Sequence, residues 1–244
     1  MSDLDDLIGQ SVPKIEARAK LTGTAVYTED IYRPRMLHAA LLGSPFAHAR
    51  IVSYDATAAL ALPGVKAVLT AADVPAKLIG HTIRDEPILA RDKVRYIGEP
   101  VAAVAAESLE IARQAIRLID IEFEELPTVF DAEEALADGA PILHEDLEKY
   151  ASVVESPFAG NMVAHIELET GNVDEVWNDC DVIVEGSFDI PAIQHVYMET
   201  CGALAEVDGT GKITIWSSTQ QIFGTQMAVA LALDLPMSTV RCIA

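Results

Sequence analysis

Positive charge is what this sequence most conspicuously lacks. Seventeen lysines and arginines stand against thirty-eight aspartates and glutamates, a formal charge of −21 at pH 7. Most of such a surface repels nucleic-acid phosphates and anionic lipid, so neither a nucleic acid nor a membrane is an expected partner. Long hydrophobic runs are missing too, and no apolar stretch reaches bilayer-spanning length. The N-terminal MSDLDDLIGQ is acidic and has no basic segment followed by an apolar core, which excludes a secretory signal of the usual kind and leaves the cytoplasm as the expected location. Cysteine is scarce. Cys180, Cys201 and Cys242 are odd in number and lack the paired spacing of a zinc or iron–sulfur site, so they read as three reduced, mostly buried thiols. No Gly-rich phosphate loop, GxSxG elbow, internal repeat or low-complexity segment occurs.

What remains is an ordinary globular mixture, 50% hydrophobic and 23% charged over 244 residues, which predicts a packed core in one or two domains. The carboxylates fall in short clusters, DLDD near the start and EFEEL at 122 to 126, and these read as solvated faces. The same surplus of acid also suits basic partner subunits covering part of the surface.

Periodicity and breakers organise the chain. MLHAALLGSPF at 36 to 46 predicts a strand entering a Ser-Pro turn, ATAALALPGV at 56 to 65 a helix stopped by Pro63-Gly64, and KAVLT at 66 to 70 another strand. PVAAVAA at 100 to 106 is a short apolar strand, and Ser108 is placed to cap the helix LEIARQAIRLI. Within it Ile111, Ala112, Ala115, Ile116 and Ile119 form one apolar stripe, with Glu110, Arg113 and Arg117 outward. IDIEFEEL then alternates as a half-buried strand does, so strand, helix and strand are expected to pack as one layered unit. Residues 131–160 are rich in acid, Gly and Pro and read as a linker between a domain at 1–130 and a second at 161–244. In the second, DVIVEGSFDI at 181 to 190 predicts a strand, and ALAEVDGTGKITIW a hairpin turning at Asp208-Gly209-Thr210-Gly211. TQMAVALALDL at 225 to 235 predicts a helix ended by Pro236, and STVRCIA a last strand.

Between that hairpin and helix lies the stretch with most chemistry. In ITIWSSTQQIFG, residues 213 to 224, a strand stops at Ser217, Ser218, Thr219, Gln220 and Gln221 before the chain turns apolar again. A strand-to-helix loop is where open α/β sheets place ligands. The plainer alternative is that Ser218 or Thr219 caps the helix while the glutamines face water. Elsewhere the signals are weak. His38, His48, His81, His144, His165 and His195 are scattered, and a lone histidine is more often structural than catalytic. Glu199, beside the apolar run in QHVYMET, reads first as a half-buried structural carboxylate and second as a tuned acid.

Several stretches taken in order carry a stronger signal: KLTGTAVYTEDI, SPFAHARI, LPGVKAVLTAADVP, IGEPVAAVAAES and EFEELP, then GSFDIPAIQHVYMET, ITIWSSTQQ and LALDLPMSTVRCIA. They resemble the xanthine dehydrogenase and aldehyde oxidase family of molybdenum hydroxylases, over the N-terminal portion of its molybdopterin-binding large subunit. The resemblance implies an α+β chain, an α/β hammerhead domain followed by the first part of a molybdopterin-binding domain. It implies a molybdenum-molybdopterin cofactor, and iron–sulfur clusters and FAD on partner subunits. It also carries the glutamine of the STQ sequence onto Gln220, whose amide is expected to contact the oxo ligand of the molybdenum centre while the pterin dithiolene holds the metal. The family's glycine-rich loop and late general-base glutamate lie beyond the matching region, so Glu199 does not take that role. The expected partners are the remaining molybdopterin-binding segment, an iron–sulfur subunit and a FAD subunit, and the chain alone is expected to be catalytically incomplete. The competing reading is a non-catalytic interaction module that keeps the fold and binds no cofactor.

Overall fold

Alanine and valine fill PVAAVAA because both faces of that segment are covered. The computed structural model describes residues 8–153 and 159–244, so the DLDD cluster and most of ESPFAGN lie outside the described residues. In chain order it has helix α1 (Ala17–Leu21), strands β1 (His38–Gly43) and β2 (Ala49–Asp55), helix α2 (Thr57–Leu60) and strand β3 (Val65–Thr70). Three two-residue strands follow, β4 (Leu78–Ile79), β5 (Glu86–Pro87) and β6 (Lys93–Val94), then strand β7 (Pro100–Ala106), helix α3 (Leu109–Ile116), strand β8 (Asp120–Glu125) and helix α4 (Ala132–Leu136). Beyond them come helix α5 (Val173–Val176), strands β9 (Ala203–Val207) and β10 (Ile213–Ser217), helix α6 (Ile222–Ala232) and strand β11 (Val240–Ile243).

β7 is the centre of an antiparallel sheet ordered β1-β7-β3. Ala102, Val104 and Ala106 join the core beneath α3, while Val101 packs on the other side with Ala49, Ala90 and Val94. The methyl side chains of Ala112 and Ala115, both at 0% exposure, let α3 lie close against the sheet, and burying such a stripe is the main source of stability for so short a helix. Ser108 caps it as expected, its Oγ accepting from the Ile111 N–H at 3.2 Å. The layered unit differs from expectation in one respect. β8 does not join β7 but pairs with β2 in a second sheet, β6-β2-β8, so α3 carries the chain from one sheet to the next. The alternation of β8 is the reason: Ile121 and Phe123 turn to the core while Asp120 and Glu122 face water, and only an outer sheet offers a solvated face. Gly43 and Gly98 fasten the edge of the first sheet, because a Cβ on Gly43 would stand 2.9 Å from the Gly98 backbone.

The C-terminal strands form a third sheet, β11-β10-β9, in which β10 pairs antiparallel with β9 and parallel with β11. Asp208 closes the expected hairpin turn, its Oδ1 accepting from the N–H groups of Thr210 at 2.7 Å and Lys212 at 3.1 Å. α6 is the crossover between the parallel strands, packing through Ile215, Ala230 and Val240. It begins at Ile222, ahead of the predicted Thr225. After Ala232 the chain reverses at Asp234 (φ 57°), and the Leu235 N–H bonds to the Ala230 carbonyl at 2.8 Å before Pro236.

Two expectations fail in residues 163–203, every one of which is exposed. DVIVEGSFDI forms no strand, because no described segment lies beside it to complete a ladder, and an unpaired strand leaves its backbone groups without partners. Phe188, Ile190 and Met198 are left 91%, 85% and 100% exposed. The thiols are likewise not mostly buried: Cys180 and Cys201 lie exposed in this stretch, and Cys242 is half-buried on the edge strand β11.

Buried charge gathers beside β6. Glu99 is 4% exposed, and its Oε2 accepts from the Arg95 N–H at 2.5 Å. Burial raises its pKa above the ordinary range, against the opposing pull of the Arg95 amide and guanidinium. Since the folded state holds this proton more tightly than the unfolded chain, the contribution is fully present below the unfolded value of about 4.3 and is lost as pH rises through the folded value. The melting temperature of the native chain minus that of Glu99→Gln is therefore expected to fall between pH 4 and pH 8. A difference that grows with pH would mean that the hydrogen bonds to the carboxylate outweigh its desolvation.

Candidate functional site

The five polar residues after β10 divide by what they touch. Ser217 ends the ladder opposite Ala203. Ser218 ties the loop to the start of β9, its Oγ accepting from the Gly202 N–H at 2.8 Å and its own N–H donating to the Gly202 carbonyl at 3.1 Å. Thr219 Oγ1 accepts from the Gln221 N–H at 3.1 Å and from the Thr225 hydroxyl at 3.1 Å, a local turn of the kind Thr favours. Gln221 occupies the N-cap position of α6 without a side-chain cap bond, so neither Ser218 nor Thr219 plays the capping role that the plainer reading gave them. Gln226 locks α6 onto the last strand by donating to the Val240 carbonyl at 2.7 Å and to Met237 at 3.1 Å. Gln220 and Gln221 are both exposed, and neither side-chain amide has a hydrogen bond among the described residues, but Gln221 is tied in through its backbone, its N–H donating to Thr219 and its carbonyl accepting from the Thr225 N–H. Ser218, Thr219 and the Gln221 backbone are committed to structure, and the Gln220 amide has no partner among the described residues.

Gln220 faces a cavity of about 480 Å³ between α6 and the β4–β5 turn. Ile79, Met227, Ala228 and Leu231 supply apolar wall, and His81, Arg84 and Glu86 supply polar wall on the side opposite the glutamines. The β4–β5 turn is well anchored. Gly80 adopts φ 151°, Ile83 bridges to Ser152, the Arg84 N–H donates to the Ala151 carbonyl at 2.8 Å and the Val153 N–H to the Thr82 carbonyl at 3.0 Å. Lys77, just before β4, reaches Asp234 after α6 at 3.0 Å. Sequence reading set His81 among the scattered histidines and missed Arg84 and Glu86, since two-residue strands leave no periodicity to detect. The available signal was an arginine beside a glycine turn in a chain so short of positive charge.

The other candidates do not assemble. His48 is buried, its Nδ1 donating to the Pro127 carbonyl at 2.6 Å. His144 stacks edge-on to Tyr150, its pKa lowered by burial and then by Arg95, and His165 pairs with Glu167 at 3.0 Å. Glu199 is exposed in the unpaired stretch rather than half-buried, and it does not line the cavity. No group of three or more His, Cys, Asp or Glu side chains among the described residues is arranged to hold a metal ion. The polar groups of the cavity are amides, hydroxyls, one imidazole, one guanidinium and one carboxylate, a set that can orient by hydrogen bonds a cofactor that brings its own metal ligands.

Comparison with known proteins bears on this geometry. A profile described as "Aldehyde oxidase and xanthine dehydrogenase, a/b hammerhead domain" matches residues 22–127, and one described as "Molybdopterin cofactor-binding domain" matches residues 155–244. The chain is 35% identical to a probable xanthine dehydrogenase subunit of Bacillus subtilis (strain 168), covering 93% of this chain and 29% of that protein. It is 36% identical to the nicotinate dehydrogenase large molybdopterin subunit of Eubacterium barkeri, covering 97% of this chain and 53% of that protein. Quinoline 2-oxidoreductase from Pseudomonas putida 86 superposes with a TM-score of 0.81 at 34% identity, over 96% of this chain and 30% of that one. The chain thus spans between about a third and a half of the length of these relatives.

Proposed function

Because the chain belongs to the xanthine dehydrogenase and aldehyde oxidase family of molybdenum hydroxylases and matches the N-terminal part of its molybdopterin-binding subunits, we propose that it serves an oxidative hydroxylation. The substrate is a heteroaromatic compound or an aldehyde, and water is the oxygen source. The observation that carries this reading is the Gln220 amide on the wall of the cavity, without a hydrogen bond among the described residues, at a turn whose hydroxyl groups Ser218 and Thr219 are already bonded.

Molybdenum on molybdopterin, when bound, supplies the two-electron redox chemistry. The work of this chain's own residues is to bind and orient. Ser218 and Thr219 fix the backbone of the strand-to-helix turn and Gln226 fixes α6 against β11, so that Gln220 on the cavity wall would serve as a hydrogen-bond donor to the cofactor when it is bound. A donor held in place before the reaction needs no reorganisation when charge develops. The apolar flank of Met227, Ala228 and Leu231 accepts the flat face of a ring and displaces water from it.

In this reading residues 1–130 form the hammerhead domain, 131–160 the linker and 161–244 the first part of the molybdopterin-binding domain. The remaining molybdopterin-binding segment covers the exposed apolar side chains of residues 163–203, since a patch of that kind marks an interface. Iron–sulfur and FAD subunits take the electrons onward, and the assembly is cytoplasmic. No helix among the described residues is long and apolar enough to cross a membrane. Co-expression with a downstream molybdopterin-binding segment tests the proposal. The complex is expected to co-purify with molybdenum and pterin and to hydroxylate at least one of xanthine, hypoxanthine, nicotinate or a simple aldehyde, while the chain alone turns over none. Turnover by the isolated chain, or a stable complex without molybdenum or pterin, would overturn it, the latter in favour of a non-catalytic interaction module.

A further inference from the structure

Arg84 forms no ion pair among the described residues. In a chain with thirty-eight acidic side chains, it is half-buried in the cavity wall and its guanidinium has neither an ion pair nor a hydrogen bond among the described residues. Other cations nearby are spent: Lys77 pairs with Asp234 at 3.0 Å, Lys93 with Glu145 at 2.7 Å, and the Arg91 guanidinium donates to the Ala71 and Val74 carbonyls. Leaving a guanidinium partly desolvated without a partner is unfavourable, and a bound anion removes the penalty. Its backbone is also held, by the Gly80 turn and the bond to Ala151, so the planar fork is presented to the cavity from a fixed point.

We propose that Arg84 selects the substrate: it receives the carboxylate of an aromatic acid whose ring lies along the apolar flank of α6, with the reacting edge toward Gln220. The inference rests on the hydroxylase reading above and narrows its substrate to a class. A guanidinium matches a carboxylate through two parallel N–H···O bonds. A cavity of about 480 Å³ holds one or two fused rings bearing that group. Glu86 and His81 share the wall. Glu86 opposes the anion, which limits affinity and makes its removal informative. Asp85, the neighbour of Arg84, lines a different cavity on the far side of the turn.

The test is direct binding to the purified chain at about 0.15 M salt, where charges farther away than about 8 Å are screened. Benzoate, its neutral counterpart benzamide and inorganic phosphate serve as probes, followed by NMR or calorimetry. Benzoate is expected to bind at least about tenfold more tightly than benzamide, a preference that Arg84→Gln abolishes, Arg84→Lys keeps in part and Glu86→Gln increases. Because the Arg84 side chain makes no hydrogen bond or ion pair among the described residues, its variants are expected to melt with the native chain, and the Glu86 variant gives an independent reading if they do not. Equal binding of benzoate and benzamide, no binding of either, or a preference that survives Arg84→Gln would each overturn the proposal. Phosphate displacing benzoate at lower concentration than benzoate itself needs would also overturn it, by assigning the site to a phosphate-bearing group. The readout uses no cofactor and no turnover. Its failure would leave the Gln220 assignment standing, and failure of that assignment would leave carboxylate binding untouched.

Discussion

Gln220→Ala, in an assembled and metal-loaded enzyme, is expected to lower kcat by roughly a hundredfold or more while leaving the melting temperature where it was. The two halves of this expectation have different sources. Removing one oriented donor near developing charge typically slows the chemical step by about 10²–10³-fold. Removing an exposed amide without a hydrogen bond typically changes stability by no more than about 0.5 kcal/mol, and Gln220 is such an amide among the described residues, since Ser218 and Thr219 hold the turn without it. Gln220→Glu sharpens the test. It keeps the length of the side chain but replaces the donor by a negative charge, so it is expected to be at least as inactive as the alanine variant. If Gln220→Ala melted markedly earlier while turnover persisted, the residue would be a structural part of the loop. If Gln220→Glu worked as well as the native enzyme, donation by the amide would be wrong even with the site correct.

The reach of sequence reading followed the density of local signals. Ser108 before an amphipathic run, and Asp208-Gly209-Thr210-Gly211 between two alternating runs, each state their structure within a few residues, and both formed as expected. The Gln220 loop was legible for the same reason: a strand and a helix of clear period flank it. The β4–β5 wall of the cavity was not, because its strands are two residues long and are held by distant backbone at 151 to 153. A non-local pairing leaves no periodic trace. DVIVEGSFDI marks the opposite failure. Its alternation is a true strand signal, but strand formation depends on a neighbour, and the segment has none among the described residues. Local propensity states what a segment will do once paired, and the pairing is decided elsewhere.

Gly80→Ala is expected to be the most damaging single methyl that can be added near the site. At φ 151° the residue lies where side chains are rarely tolerated, and an added Cβ would stand 1.8 Å from the Ile83 carbonyl oxygen and 2.9 Å from its carbon. Both contacts are with backbone, so no rotamer change relieves them. The carbonyl must shift by more than an ångström, and it belongs to Ile83, which bridges to Ser152 and precedes the Arg84 N–H bonded to Ala151. Backbone strain and forced overpacking together suggest a loss of about 3 kcal/mol, or roughly 6–12 °C in melting temperature for a chain of this size. The control is Gly209→Ala, where the added Cβ meets nothing within 4 Å, and a change near zero is expected. Since Arg84 follows Ile83 directly, the displaced turn also moves the guanidinium, so the Gly80 variant should lose the preference for benzoate over benzamide even below its melting temperature. A Gly80→Ala protein as stable as Gly209→Ala would show that the tight turn is not maintained in solution. One that melted early yet kept the benzoate preference would show that the guanidinium does not depend on the turn for its position.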